Sequence, residues 1–189
     1  MKPFEYLLLL PAVVLGLALS DIALSTQRLL NAWGRVKWGW LAPLAAMLAF
    51  AKVVTQWWVW FGGDQIARGL TFEMFAGVLL SAGILFLLAA TSLPDDIGER
   101  GIDLRAYYET VSRRYWILFA LHFVVANAVV IWAQARVEGA HVSLASPLLA
   151  VLPLAAALSV LRNRWFHGTA LTGLLALYAW QEFGRSLAA

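Results

Sequence analysis

Residues 4–30 read FEYLLLLPAVVLGLALSDIALSTQRLL, and residues 40–62 read WLAPLAAMLAFAKVVTQWWVWFG. Each run is long enough to cross a hydrocarbon core of about 30 Å as a helix, which takes about 20 apolar residues. The short segment Asn31 to Gly39, carrying Arg35 and Lys37, joins them into a hairpin. Two polar stripes interrupt the apolar runs: Asp21, Ser25 and Arg28 in the first, Lys52, Thr55 and Gln56 in the second. Spacings of three, four and seven put each stripe on one helix face. An ionisable group at membrane depth is costly unless paired or wetted, so it faces the protein interior. Asp21 and Lys52 are the residues such a fold must accommodate.

The same reading extends along the chain. A third span is expected at about Leu70–Ser92, stopped by Leu93-Pro94-Asp95, and the Gly62-Gly63-Asp64 turn closes the first hairpin. Further spans are expected at about Arg113–Gln134, Ser143–Leu161 and Trp165–Phe183, with Pro147 and Pro153 interrupting the fifth. The polar stretch from Asp96 to Arg114 reads as an interfacial turn fused to the fourth span. In it Asp103 is an N-cap, and Arg105 and Glu109 stand one helical turn apart. Small residues at Ala12, Gly16 and Ser20, at Gly77 and Ser81, and at Gly168, Thr172 and Ala176 form faces for close helix approach. The expected fold is an all-α integral membrane protein, one domain over residues 1–189, built as a bundle of six transmembrane helices.

Composition agrees with that class. Of 189 residues 62% are hydrophobic and 13% charged, against roughly a quarter charged in soluble domains. The absence of Cys excludes disulfides and thiolate metal sites. A net charge of +3 with basic residues scattered beside apolar runs forms no nucleic-acid patch. Lys2, an apolar run and Ala18-Leu19-Ser20 imitate a secretory signal. Glu5 spoils its basic start and the apolar run resumes at Ile22, so a retained helix is expected.

Tryptophans mark the span ends, as expected of rings that meet both water and lipid. Trp40 with Trp57, Trp116 with Trp132, and Trp165 with Trp180 are 15–17 residues apart, or roughly 23–26 Å of helix. Nine basic residues (Arg28, Arg35, Lys37, Arg100, Arg105, Arg113, Arg114, Arg162, Arg164) fall at the first, third and fifth connections. Four (Lys2, Arg68, Arg136, Arg185) fall on the other side. The excess makes the first group cytoplasmic, with both termini periplasmic in a bacterial inner membrane. Halves of opposite orientation also admit a 3+3 inverted repeat, for which matched Arg-Val pairs at 35–36 and 136–137 are thin support.

Counted from the cytoplasmic ends, Asp21, Lys52, Ser81 and Asn127 lie roughly 15–18 Å deep and His122 roughly 9 Å. An ion pair between Asp21 and Lys52 is the expected solution to their shared cost. His122 and Asn127, five residues apart, diverge by about 140° and serve different faces. No Gly-x-Ser-x-Gly elbow, HExxH pair or second deep carboxylate is present. Lys52 as a Schiff-base lysine has no other support, so neither enzyme chemistry nor a cofactor is expected. What remains is a small transporter or channel for an ion or small polar solute, with Asp21, Ser25, Arg28, Lys52, Gln56, His122 and Asn127 along its pathway. The alternative is a membrane sensor or assembly subunit whose polar groups hold helices together and whose 95–114 segment meets a cytoplasmic partner. Besides the lipid bilayer, copies of the chain itself are the expected partners.

A reporter enzyme fused after Ala189 should read as periplasmic, and one inserted near Glu99 as cytoplasmic. The reverse pattern would remove the orientation, and with it every depth counted above.

Overall fold

The computed structural model describes residues 3–62, 71–136 and 148–187, with side chains over 9–60, 71–135 and 151–180. Six helices account for nearly all of them: α1 (Pro3–Asn31), α2 (Leu41–Gly62), α3 (Phe72–Ser92), α4 (Leu104–Arg136), α5 (Leu148–Val160) and α6 (Arg164–Leu187). Four contain segments long and apolar enough to cross a membrane: Leu9–Asn31, Leu41–Trp60, Phe72–Ser92 and Leu104–Ala135. The all-helical architecture is therefore the one expected, and among the described residues four of the six expected spans meet the length and hydropathy of a membrane crossing. The helix α5 is apolar but described over only 13 residues, about 20 Å of rise. The helix α6 has the length, at 24 residues, but Arg164, His167, Thr169 and Thr172 dilute its hydropathy. Gly63 and Asp64 of the expected turn and the expected start of the fifth span at Ser143 lie outside the described residues.

The largest departure is at α4. It starts at Leu104, nine residues before the expected Arg113, and runs 33 residues without a break. Asp103 caps it as its position suggested, accepting from the amides of Arg105 at 2.9 Å and Ala106 at 3.2 Å. Arg105 Nε reaches Glu109 Oε1 at 3.1 Å on the exposed face. Leu104, Tyr108, Tyr115, Phe119 and His122 are buried along the opposite face. That stripe keeps the helical period from the first turn, so the polar start is part of the same packed helix.

Around this end the connections are tied together. Two-residue strands β1 (Val36–Lys37) and β2 (Ile102–Asp103) pair in parallel, Val36 with Ile102 and Lys37 with Asp103. Gly101 enters β2 at φ +81°, and a Cβ there would collide with the Arg35 carbonyl oxygen. Gly39 passes so close to α4 that an added Cβ would lie 2.9 Å from the Arg105 nitrogen. The rings of Trp40 and Trp165 stand 6.1 Å apart, and the Trp40 ring fills the space beside Gly168. The first, third and fifth connections thus share one end of the bundle, as their basic residues suggested.

Packing between helices is uneven. α3 packs most extensively on α4 and α1, α4 also on α5, and α2 chiefly on α6 and α3, while α1 and α2 touch little. The contacts of α1–α3 are not mirrored in α4–α6, so this packing does not display an inverted repeat. Gly77 and Ser81 do meet α4: a Cβ on Gly77 would lie 2.7 Å from Val129 Cγ2, and Ser81 bonds His122. In the Ala12-Gly16-Ser20 ladder a Cβ on Gly16 would have nothing within 4 Å, because Ala12 and Gly16 border a cavity of about 190 Å³ against Val53, Val54 and Trp57 of α2. Trp57 and Trp58 are exposed while Trp60 is buried, the split that a helix turning about 100° per residue at a lipid boundary requires.

Gly101→Ala should lower the thermal unfolding midpoint in detergent. The left-handed backbone alone costs an Ala about 1–2 kcal/mol, and the collision with Arg35 adds to it. An unchanged midpoint would mean that the β1–β2 pairing contributes nothing to the closed end.

Candidate functional site

The polar side chains divide into three places. At the tied end, Ser25 Oγ donates to Asp95 Oδ1 at 3.2 Å, and Arg28 Nη1 reaches the Asp95 carbonyl at 3.0 Å and its Oδ1 at 3.5 Å. The charges that reach Asp21 are those of Asp95 and Arg28. Asp95 follows the Leu93-Pro94 stop of α3, so this stripe sits at the level of that helix end and not at mid-bundle. The expected Asp21–Lys52 pair is not formed. α1 packs on α3 rather than on its hairpin partner, which turns its polar face to the loop after Ser92. With side chains 48% and 64% exposed, the Arg28–Asp95 pair is worth about 0–1 kcal/mol.

Lys52 lies elsewhere, 8% exposed, with Gln56 buried one turn away. Its ammonium sits 5.7 Å from the Phe123 ring centroid and 5.3 Å from that of Tyr178. No carboxylate pairs with it among the described residues. It is within electrostatic reach of His122, the neighbour of Phe123 on α4. His122 itself is fully buried. Its Nδ1 lies 3.2 Å from Ser81 Oγ and 3.3 Å from the Ser81 carbonyl oxygen.

That geometry makes Ser81 a partner for either tautomer. The hydroxyl can donate to a bare Nδ1, and the carbonyl can accept from a protonated one. Nε2 is satisfied in neither, being buried without a hydrogen-bond partner among the described residues. An orphaned buried polar atom costs about 1–3 kcal/mol. His122 was expected roughly 9 Å from the cytoplasmic end, shallower than the mid-bundle groups. The early start of α4 places it 18 residues into the helix, roughly 27 Å along it, level with Ser81 and beside Lys52. Asn127 is on another face, its Nδ2 donating to the Phe123 carbonyl at 2.7 Å.

The third place is a buried triad that sequence reasoning missed. His167 Nε2 donates to the Leu161 carbonyl at 2.7 Å, which leaves Nδ1 as an acceptor. Tyr108 Oη donates to it at 2.9 Å. Trp116 Nε1 lies 3.2 Å from both that nitrogen and Tyr108 Oη. Tyr108, Trp116 and His167 carried no motif, and the eight-residue spacing of the first two within one helix was the only available sign. Leu41, Tyr108, Glu109, Ser112, Arg162, Arg164 and His167 line a cavity of about 190 Å³ above the triad.

A second cavity, of about 450 Å³, lies between α1 and α2 among Ile22, Leu29, Met47 and Phe50. Its walls are apolar, so it suits an acyl chain rather than a polar solute. No cluster of three metal-ligating side chains occurs among the described residues. Comparisons with protein-family models, curated proteins and solved structures found no match.

Magnitudes decide the stability role of Lys52. Each ring contact, near the distance limit of about 6 Å, is worth at most about 2 kcal/mol. Removing one ion from water costs several kcal/mol even after relaxation. Lys52→Met keeps the length and removes the charge, so it should raise the unfolding midpoint by on the order of 1–4 kcal/mol in stability. A lower midpoint in a thermal melt would show that the ring contacts outweigh desolvation.

Proposed function

We propose that this protein is a small membrane transporter or channel whose central site, formed by Lys52 and His122 with Ser81 and Gln56, handles a small anion or a proton. The observation that supports it is the buried Lys52 ammonium beside a buried histidine, the first with no carboxylate and the second with no Nε2 partner among the described residues. Charged groups inside a bundle are rare and mark ion and proton pathways. A passing anion would compensate the ammonium and give Nε2 a partner at once. A proton would use the same pair differently. Ser81 accommodates both tautomers of His122, so the ring can take a proton on one nitrogen and release it from the other.

In this reading α5 and α6 complete six spans in a bacterial inner membrane. The tied, basic end is cytoplasmic and both termini are periplasmic. The Asp21, Ser25, Arg28 and Asp95 cluster then stands at the cytoplasmic mouth. The small residues Ala12, Gly16 and Ser20 of α1 would offer the face through which copies associate.

A second reading has one observation in its favour: Lys52, Gln56, Ser81 and His122 are all buried. Groups sealed from water fit a sensor or assembly subunit, in which they fix helix register.

Flux separates the two. Purified protein is reconstituted in liposomes loaded with a chloride-sensing or a pH-sensing dye, under a potassium–valinomycin potential. The wild type should carry one of the two ions above the rate of empty liposomes. Lys52→Met and His122→Asn, both folded by thermal melt, should fall to that background. Wild-type liposomes indistinguishable from empty ones for both ions, or variants with undiminished flux, would sink the transport reading.

A further inference from the structure

The cavity above the Tyr108–Trp116–His167 triad is unrelated to the central site, and its chemistry is distinct. It opens at the tied end, between the start of α2 at Leu41, the first turns of α4 at Tyr108, Glu109 and Ser112, and the α5–α6 connection. Arg162 and Arg164 form one wall. Neither is in an ion pair among the described residues; Arg164 instead lies 5.7 Å from the Trp165 ring.

Each guanidinium presents a planar fork that matches phosphate oxygens. Glu109 is the carboxylate on the cavity wall, and Arg105 holds it at 3.1 Å. The positive end of α6 starts at Arg164 and adds to the local potential. The floor is fixed. His167 is held between Leu161, Tyr108 and Trp116, so its tautomer and ring plane are set before anything binds. Trp40 and Trp165 stand together at this end, the kind of ring pair that seats at headgroup level. Basic pockets between helices at the cytoplasmic face are where anionic headgroups bind.

We propose that this cavity binds a phosphate group, through Arg162 and Arg164, from an anionic phospholipid headgroup or from free phosphate. The guanidiniums supply the charge, and the Ser112 hydroxyl and the His167 floor bound the space it occupies. The site is independent of whether the central groups conduct anything.

The test uses full-length protein in neutral detergent, titrated with phosphatidylglycerol, phosphatidylcholine or inorganic phosphate. Bound lipid is counted by native mass spectrometry, and stabilisation is followed by thermal shift. Wild-type protein should retain phosphatidylglycerol over phosphatidylcholine by about tenfold, the yield of a single charge-assisted contact. Arg162→Gln with Arg164→Gln should abolish the preference. Arg113→Gln with Arg114→Gln removes the same charge from exposed positions outside the cavity and should keep it. Glu109→Gln should strengthen retention. If inorganic phosphate stabilises the wild type but not the Arg162/Arg164 double variant, and no lipid preference is seen, the phosphate site stands and its ligand is soluble. If no ligand distinguishes the wild type from that variant, or if the Arg113/Arg114 control loses as much, the cavity is not a phosphate site.

Discussion

Four backbone residues in two short strands govern much of this molecule. Pairing Val36–Lys37 with Ile102–Asp103 sets where Asp103 stands, and Asp103 caps α4. A helix rises and turns by fixed amounts per residue, so its capped start determines the level and face of each residue beyond. Tyr115 can then donate to the Ala45 carbonyl of α2 at 2.8 Å, and His122 can reach Ser81 of α3. Two small residues, Gly39 and Gly101, allow the pairing because side chains there would strike Arg105 and Arg35. Mid-bundle chemistry is thus positioned from the surface.

Against that order, the Lys52–His122 region is a local cost. A bundle optimised for stability alone would fill this volume with apolar side chains, since among the described residues no carboxylate offsets the ammonium and Nε2 finds no partner. The tied end is unlike it: there Asp95 meets Ser25 and Arg28, and the buried histidine has partners on both nitrogens. Satisfied and unsatisfied polar groups therefore separate along the bundle axis. Departures from full satisfaction concentrate where a protein trades stability for function.

Much of the fold was readable from residue patterns because its physics is local. Apolar run length and the Pro94 stop put α1, α2 and α3 within two residues of their observed bounds, and the Asp103 cap and the Arg105–Glu109 pair follow from spacing along one helix. Two departures came from starting the fourth span at the charged Arg113 and from reading sequence neighbours as spatial neighbours. The turn after Asp103 was read as fused to a span beginning at about Arg113, whereas Leu104, Tyr108 and Tyr115 already belong to the buried stripe of α4. Asp21 and Lys52 were paired because α1 and α2 are consecutive. Which helices pack together depends on side-chain fit across the whole bundle, and α1 lies on α3. The ring contacts of Lys52 with Phe123 and Tyr178 join three helices far apart in the chain, and no local spacing announces them.

The roof over Lys52 has a consequence for how the protein is made. Tyr178 belongs to the last helix, and α2 packs chiefly on that helix. Synthesis proceeds from the N-terminus, so Lys52 is delivered to the membrane well before the ring that covers it. Trp40 likewise waits for Gly168. Until α6 arrives, the second helix lacks the Tyr178 ring beside its ammonium and the Gly168 seat for the indole at its start. The C-terminal helix acts as the closing piece of assembly, and a chain that stalls short of it carries its charged centre uncovered.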